Sequence, residues 1–362
     1  MNEKPVMDAE ARRKAIDEIV HGTFLMEGTM VAFPTCFPGV TTALPPDESL
    51  ITALALGNDA IVYGVTSGHR AHLLAGMFHG LTGIIYDLGA PEGMTEGVAV
   101  GCTSKQVIAA FNGPSGGCLV RRNLQGLPFD LLQEWGFERL ALDILEPAAG
   151  GAAIVDGVLA DDATFVVATA EKLAAVDVAA GTSRLVADLE QPTRLALAGD
   201  GAVLGSSGKA LWRYHPQTGF EADAVVLPDG NWEELVWQRS LPDAQGGNYL
   251  ADGNGGLYRL SGSKLSERLG QIPLTPVGAM ATTYDGRLYG TCGEGIANLF
   301  VYQPADGTLR NLGVAASVIE RRRYGYTFSC AVTGRDGEIV FGENDNAGHM
   351  WLYFPRIQRC EG

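Results

Sequence analysis

The stretch "DGRLYGTCGEGIANLFVYQPADGTLRNLG", Asp285–Gly313, recurs in outline as "GNDAIVYGVTSGHRAHLLAGMFHGLTGIIYDLG", Gly57–Gly89. Tyr289-Gly290 corresponds to Tyr63-Gly64, Leu299 to Leu73, and Asn311-Leu312-Gly313 to Asp87-Leu88-Gly89. A repeat constrains a chain strongly, because a single unit cannot bury its own apolar face and must stack on its neighbours. Each unit reads as a meander. A first strand of small and apolar residues leads to a second that carries a small residue. A polar turn precedes a third strand of the type "LFVY", and a Gly-, Asp- or Pro-rich turn precedes a short fourth.

The second-strand markers are Gly64, Ala109, Ala168, Gly205, Ala251, Gly290 and Gly342. They recur about every 46 residues, within the ~40–50 expected of a propeller blade. The units run Ile51–Gly93, Met94–Arg139, Leu140–Pro192, Thr193–Glu234, Leu235–Pro276, Val277–Gly325 and Tyr326–Ile357. The seventh stops after its third strand. An unpaired edge is an aggregation hazard, so the missing strand is expected from "GTFLMEGTMVAF", Gly22–Phe33, which would close a ring. A short helix is expected over Asp8–Val20, with Asp8 as cap and Ile16, Ile19 and Val20 facing inward. The fold class is therefore all-β: a seven-bladed β-propeller of four-stranded antiparallel blades. Its domain spans 22–357, between a helical extension (1–21) and a tail (358–362).

Composition agrees. Of 362 residues, 19% are charged and 48 are Gly, against roughly 25% and about 7% in typical soluble domains. This balance suits short strands and tight turns. The net charge of −16 argues against nucleic acid as a partner, because phosphate binding needs a basic field. No apolar run approaches the roughly 20 residues of a membrane-spanning helix, so no membrane partner is expected. The first residues lack a signal peptide's apolar core. Cytoplasmic residence is the favoured reading, and a secreted or periplasmic one holds if a leader has been removed. Cys36, Cys102, Cys118, Cys292, Cys330 and Cys360 form no CxxC pair and read as free buried thiols.

With its seven units and the "GRLYG…NLFVYQPADGTLRNLG" pattern, the chain is similar to the seven-bladed β-propeller superfamily over about residues 51–357. Within it, the chain resembles carbohydrate-active propellers such as the ulvan- and oligogalacturonate-type polysaccharide lyases. That resemblance implies action on an acidic glycan. No family's catalytic motif matches residue by residue.

In a propeller, second-to-third-strand loops and blade-to-blade linkers share one face. "VTSGHRAH" of unit one places His69, Arg70 and His72 there, and "GENDNAGH" of unit seven places Glu343, Asn344, Asp345 and His349. With one residue of slippage, His72, Asn298 and His349 hold equivalent places before "LL", "LF" and "MW". The linker "ASVIERRRYGYTF" adds Arg321, Arg322, Arg323, Tyr324 and Tyr326. The segment "QGLPFDLLQEWGFERL", read as the linker after unit two, adds Gln133, Glu134 and Trp135.

Each group has more than one reading. The histidines transfer protons near neutral pH, cap strands by bonding a neighbouring blade, or bind a metal together with a nearby Asp or Glu. The arginines either grip a carboxylate or form a solvated loop. Trp135, Trp232 and Trp237 either stack on sugar rings or wedge blades apart. Glu343 and Asp345 have the composition of a calcium loop without its full spacing. A divalent ion, calcium or manganese, is thus an optional occupant, and no cofactor is required. His79, in an apolar stretch, reads as a structural histidine.

Two functions follow. One is an enzyme that cleaves a uronate-containing glycan by β-elimination near blades 1, 6 and 7. Arginine would neutralise the carboxylate, His69, His72 or His349 would take the proton, and Tyr324 or Tyr326 would protonate the leaving oxygen. Hydrolysis through Glu343 and Asp345 is a variant. The other is a non-catalytic platform for protein or glycan. The expected ligand is a small molecule or oligosaccharide. The sequence leaves the oligomeric state open.

Overall fold

The computed structural model describes residues 9–22, 25–36, 43–58, 60–124, 142–243, 245–318, 323–345 and 347–356. The chain folds as seven sheets of four or five strands, each an antiparallel meander. The first, innermost strands are Leu50–Leu56, Glu96–Cys102, Ile154–Asp161, Ala196–Leu197, Val236–Trp237, Val277–Thr282 and Phe328–Thr333. Blade 5 gains a fifth strand, Gly270–Gln271, beside its third. The last blade is completed by Thr29–Pro34, antiparallel to His349–Phe354, with Met30 opposite Tyr353 and Ala32 opposite Trp351. The expected closure is present and lies at the end of the predicted segment.

There is no single core. Among the described residues, a separate apolar cluster fills each of the seven blade interfaces. The cluster joining the chain's ends sets Ile51, Val62 and Leu74 of blade 1 against Val340, Met350 and Leu352 of blade 7. Each such side chain, fully buried, contributes about 1.5–3 kcal/mol relative to exposure. The interfaces therefore hold both the blades and the ring.

All seven marker residues lie in second strands. Their smallness has a steric cause. A Cβ on Gly290 would stand 2.6 Å from the Phe300 ring, and one on Gly342 would stand 2.5 Å from Cys330 Sγ. The "DLG" and "NLG" ends also share a cause. Asp87 Oδ1 accepts from the Gly89 amide at 2.9 Å, and Asn311 Oδ1 from the Gly313 amide at 2.8 Å. Both glycines have positive φ, and the register slips beside each. The motif is thus a bulge that ends the fourth strand.

Three expectations need correction. Blade 2 finds its fourth strand at Asp143–Ile144, paired with Val120 and Arg121. The segment carrying Gln133, Glu134 and Trp135 therefore stands between the third and fourth strands in the chain, and does not link blade 2 to blade 3. It lies outside the described residues. The helix runs Ala9–His21, and Ile16 is 49% exposed and does not face inward. Of the thiols among the described residues, Cys36, Cys102 and Cys118 are half-buried, and only Cys292 and Cys330 are fully buried; Cys360 lies outside the described residues. Among the described residues, no helix is long and apolar enough to cross a membrane.

Candidate active site

An antiparallel meander returns to the same face at the start of every odd strand. The starts of the first strands, the second-to-third loops and the blade linkers therefore open together. On the axis at this face lies a cavity of about 330 Å³. Arg194, Trp237 and Arg239 line it on the side of blades 4 and 5, with Glu96 from blade 2 and Ser329 and Asn344 from blade 7.

Beside Asn344, blade 7 carries a polar cluster. Glu343 ends the second strand and is fully buried. Its Oε2 accepts from Trp351 Nε1 at 3.0 Å and Arg323 Nη2 at 3.2 Å, and lies 2.9 Å from His349 Nδ1. Arg323 Nη2 also donates to the Ala347 carbonyl at 2.9 Å. Burial pushes the Glu343 carboxyl up, but His349, Trp351 and the Arg323 charge outweigh it and hold it below its ordinary pKa. Asp345, half-buried two residues on, shifts the other way. Burial and the adjacent Glu343 carboxylate raise it, against the Ala347 amide that donates to Oδ1 at 2.9 Å. Two carboxyls at one loop, driven in opposite directions, differ in basicity, and Asp345 is the stronger base of the two.

Blade 1 carries a second cluster. Glu48, in the linker from blade 7, is buried and receives Arg70 Nε at 2.9 Å and Nη2 at 3.0 Å. His72 Nε2 lies 2.9 Å from the same carboxylate, and its Nδ1 lies 3.1 Å from Asp87 Oδ1. Burial lowers the His72 pKa, but Asp87 and Glu48 prevail and raise it above its ordinary value. The Arg70 hydrogen bond is the main cause that depresses Glu48.

His72 and Asn298 hold matching places, two residues before the partners of Gly64 and Gly290, whereas His349 stands one residue before the partner of Gly342. His72 and His349 are brought to the same face but into separate networks, and both are buried, at 1% and 0% exposure. Arg70 and Arg323 each join one network. His69 is exposed on the blade 1 loop, and its amide donates to the Asp47 carbonyl. Tyr324 bridges to Ala316, Tyr326 is 47% exposed, and Asn298 Nδ2 reaches the Ile296 carbonyl at 3.4 Å. Arg321 and Arg322 lie outside the described residues. Trp237 lines the cavity while nearly buried, and Trp232 packs on Tyr258 at a centroid distance of 5.1 Å. His79 is exposed at the far end of its strand. Among the described residues, no three His, Cys, Asp or Glu side chains group as a metal site.

Sequence reasoning missed Arg194 and Arg239, and missed Glu48 and Asp87 as partners of His72.

No protein-family model matches the chain, and no curated protein matches it. Solved structures do. A streptogramin B lyase structure superposes with a TM-score of 0.62 at 13% identity, covering 91% of this chain and 99% of that one. A structural-genomics protein of unknown function from Bacteroides thetaiotaomicron gives 0.53 at 10% identity, covering 91% and 77%. The extracellular domain of a hybrid two-component system from the same organism gives 0.58 at 13% identity over 91% of this chain and 40% of that one. At such identities the likeness shows the fold alone.

Proposed function

We propose that the protein is a lyase acting on a small acidic glycan in the axial cavity, by β-elimination at the blade 7 rim. The observation that carries this reading is the Glu343–Asp345 pair, pushed apart in pKa beside the cavity-lining Asn344. Glu343 is held ionised by Arg323, His349 and Trp351, and its charge, with burial, raises the basicity of the Asp345 carboxylate. Asp345 is then a carboxyl of raised basicity, suited to proton transfer near neutral pH.

The step uses one face of the sugar. Ionised Asp345 takes the hydrogen next to the uronate carboxylate, the C–H electron pair becomes the double bond, and the C–O bond to the next sugar breaks. The proton then passes from Asp345 to the departing oxygen. The buried His349 positions Glu343 and does not touch substrate. A volume of 330 Å³ sits at the low end of the about 300–1,000 Å³ of small-molecule sites, so it favours a chain end or short oligomer. The fold also serves a protein named as a streptogramin B lyase, so a propeller can support lyase chemistry.

The test is ultraviolet absorbance of an unsaturated product on uronate oligomers and polymers. Product from the wild type, lost in Asp345→Asn, supports the reading. No product on any substrate refutes it. The second reading, a non-catalytic platform, draws on the burial of His72 and His349 in separate ion-pair networks. It predicts binding without turnover.

A further inference from the structure

We propose that Arg194 and Arg239 form a carboxylate-binding site on the cavity wall at blades 4 and 5, which holds the acid group of the substrate. This deepens the lyase reading and rests on it only for the identity of the bound molecule as substrate.

Arg239 follows the innermost strand of blade 5 and reaches past blade 4 to Asp156 in blade 3. Its Nη2 donates to Asp156 Oδ1 at 2.8 Å and to the Gly157 carbonyl at 3.2 Å. Asp156 is fully buried and also accepts the Gly157 and Leu195 amides, both at 2.8 Å. This carboxylate is fixed by backbone, so it orients the guanidinium without moving itself. A guanidinium has five donor hydrogens. Two on Nη2 are used, and those on Nε and Nη1 have no partner among the described residues.

Arg194 precedes the innermost strand of blade 4 and lines the same cavity. Its backbone is pinned, because Trp237 Nε1 donates to its carbonyl at 3.2 Å. Its Nη1 reaches the Val155 carbonyl at 3.1 Å, and its other donors have no partner among the described residues.

Two unsaturated guanidinium groups on one wall of a small cavity are unexpected in a chain of net charge −16, where a random pocket would repel anions. The opposite wall supplies Ser329, Asn344 and Glu96, whose Oε2 already accepts from Asn112 Nδ2 at 2.9 Å. That wall suits hydroxyl groups. The pair of walls selects a hydroxylated organic acid, with the acid toward Arg194 and Arg239.

The test is calorimetric titration of the full chain with galacturonate, galactose and inorganic phosphate. Galacturonate is expected to bind and galactose is not. Arg194→Gln and Arg239→Gln are each expected to weaken galacturonate binding tenfold or more, while Arg184→Gln, remote from the cavity, leaves it unchanged. Arg194 is exposed, so its variant should fold even if loss of the Arg239–Asp156 pair perturbs the other; circular dichroism and Tm check this. Asp345→Asn should bind galacturonate as the wild type does, which separates failure of this site from failure of the lyase reading. The proposal is overturned if wild type binds no galacturonate, if Arg194→Gln and a folded Arg239→Gln bind it undiminished, or if phosphate binds and galacturonate does not.

Discussion

The Gly348 amide donates to Ser49 Oγ at 3.0 Å, joining residues 299 positions apart. Their sequence neighbours, His349 and Glu48, belong to the two buried ion-pair networks. The contact exists only because the ring closes. A Cβ on Gly348 would stand 1.8 Å from the Ser49 carbonyl oxygen, so the blade 7 loop reaches this position only as glycine. Gly348→Ala is expected to shift the loop, lower Tm and reduce catalysis, because the same loop carries Asp345.

Ring closure itself is testable. Met30 is fully buried in the closing strand and packs in the blade 6–7 cluster. Met30→Asp buries a charge without a partner, which ranks among the severe classes of substitution and exceeds about 4 kcal/mol. Chemical unfolding should show this loss, and size-exclusion chromatography should show association through the exposed edge of blade 7.

The marker glycines give a steric prediction. Gly290→Val forces atoms against Phe300, 2.6 Å from the Cβ position. Overpacking of this kind costs typically about 1–3 kcal/mol. Gly290→Ala should cost less than Gly290→Val in urea unfolding, whereas a conformational cause alone would not grade with size.

Stability should depend on pH through the blade 1 network. The folded-state pKa of His72 is raised by Asp87 and Glu48 against burial. Its contribution is therefore full below the unfolded value of about 6.5 and is lost as pH rises through the folded value. Glu48 is lowered, chiefly by Arg70, so its contribution is present above the unfolded value and lost as pH falls through the folded one. Removing one partner of a buried pair costs about 3–5 kcal/mol. His72→Gln should thus lower Tm most in mildly acidic solution, with the gap to wild type narrowing as pH rises. A gap that does not vary with pH would contradict the charged pairing.

The fold was legible because its signals are local and periodic. The small residue at Gly205 and Gly290, and the bulge at Asp87-Leu88-Gly89, depend on neighbours within one blade. Arg70, His72 and His349 could be assigned to a face by connectivity alone. Their burial could not, because it follows from Glu48 and Asp87 for His72 and from Glu343 and Trp351 for His349. Those partners come from different strands and linkers, with no fixed spacing. Arg194 and Arg239 were silent for a related reason. Nothing in "PTRLAL" or "WQRS" distinguishes an axial arginine from a surface one until Asp156, 83 residues away from Arg239, is found beside it. The end of blade 2 was misread because the stretch before Asp143 looked like a link between blades, whereas the fourth strand follows it.

The most direct measurement is a crystal structure of Asp345→Asn soaked with a uronate trimer. The account predicts one sugar in the axial cavity, its carboxylate about 3 Å from Arg194 and Arg239 nitrogen atoms, and the adjacent C–H facing residue 345. A trimer bound on the opposite face, or in the cavity with its carboxylate turned away from both arginines, would contradict it.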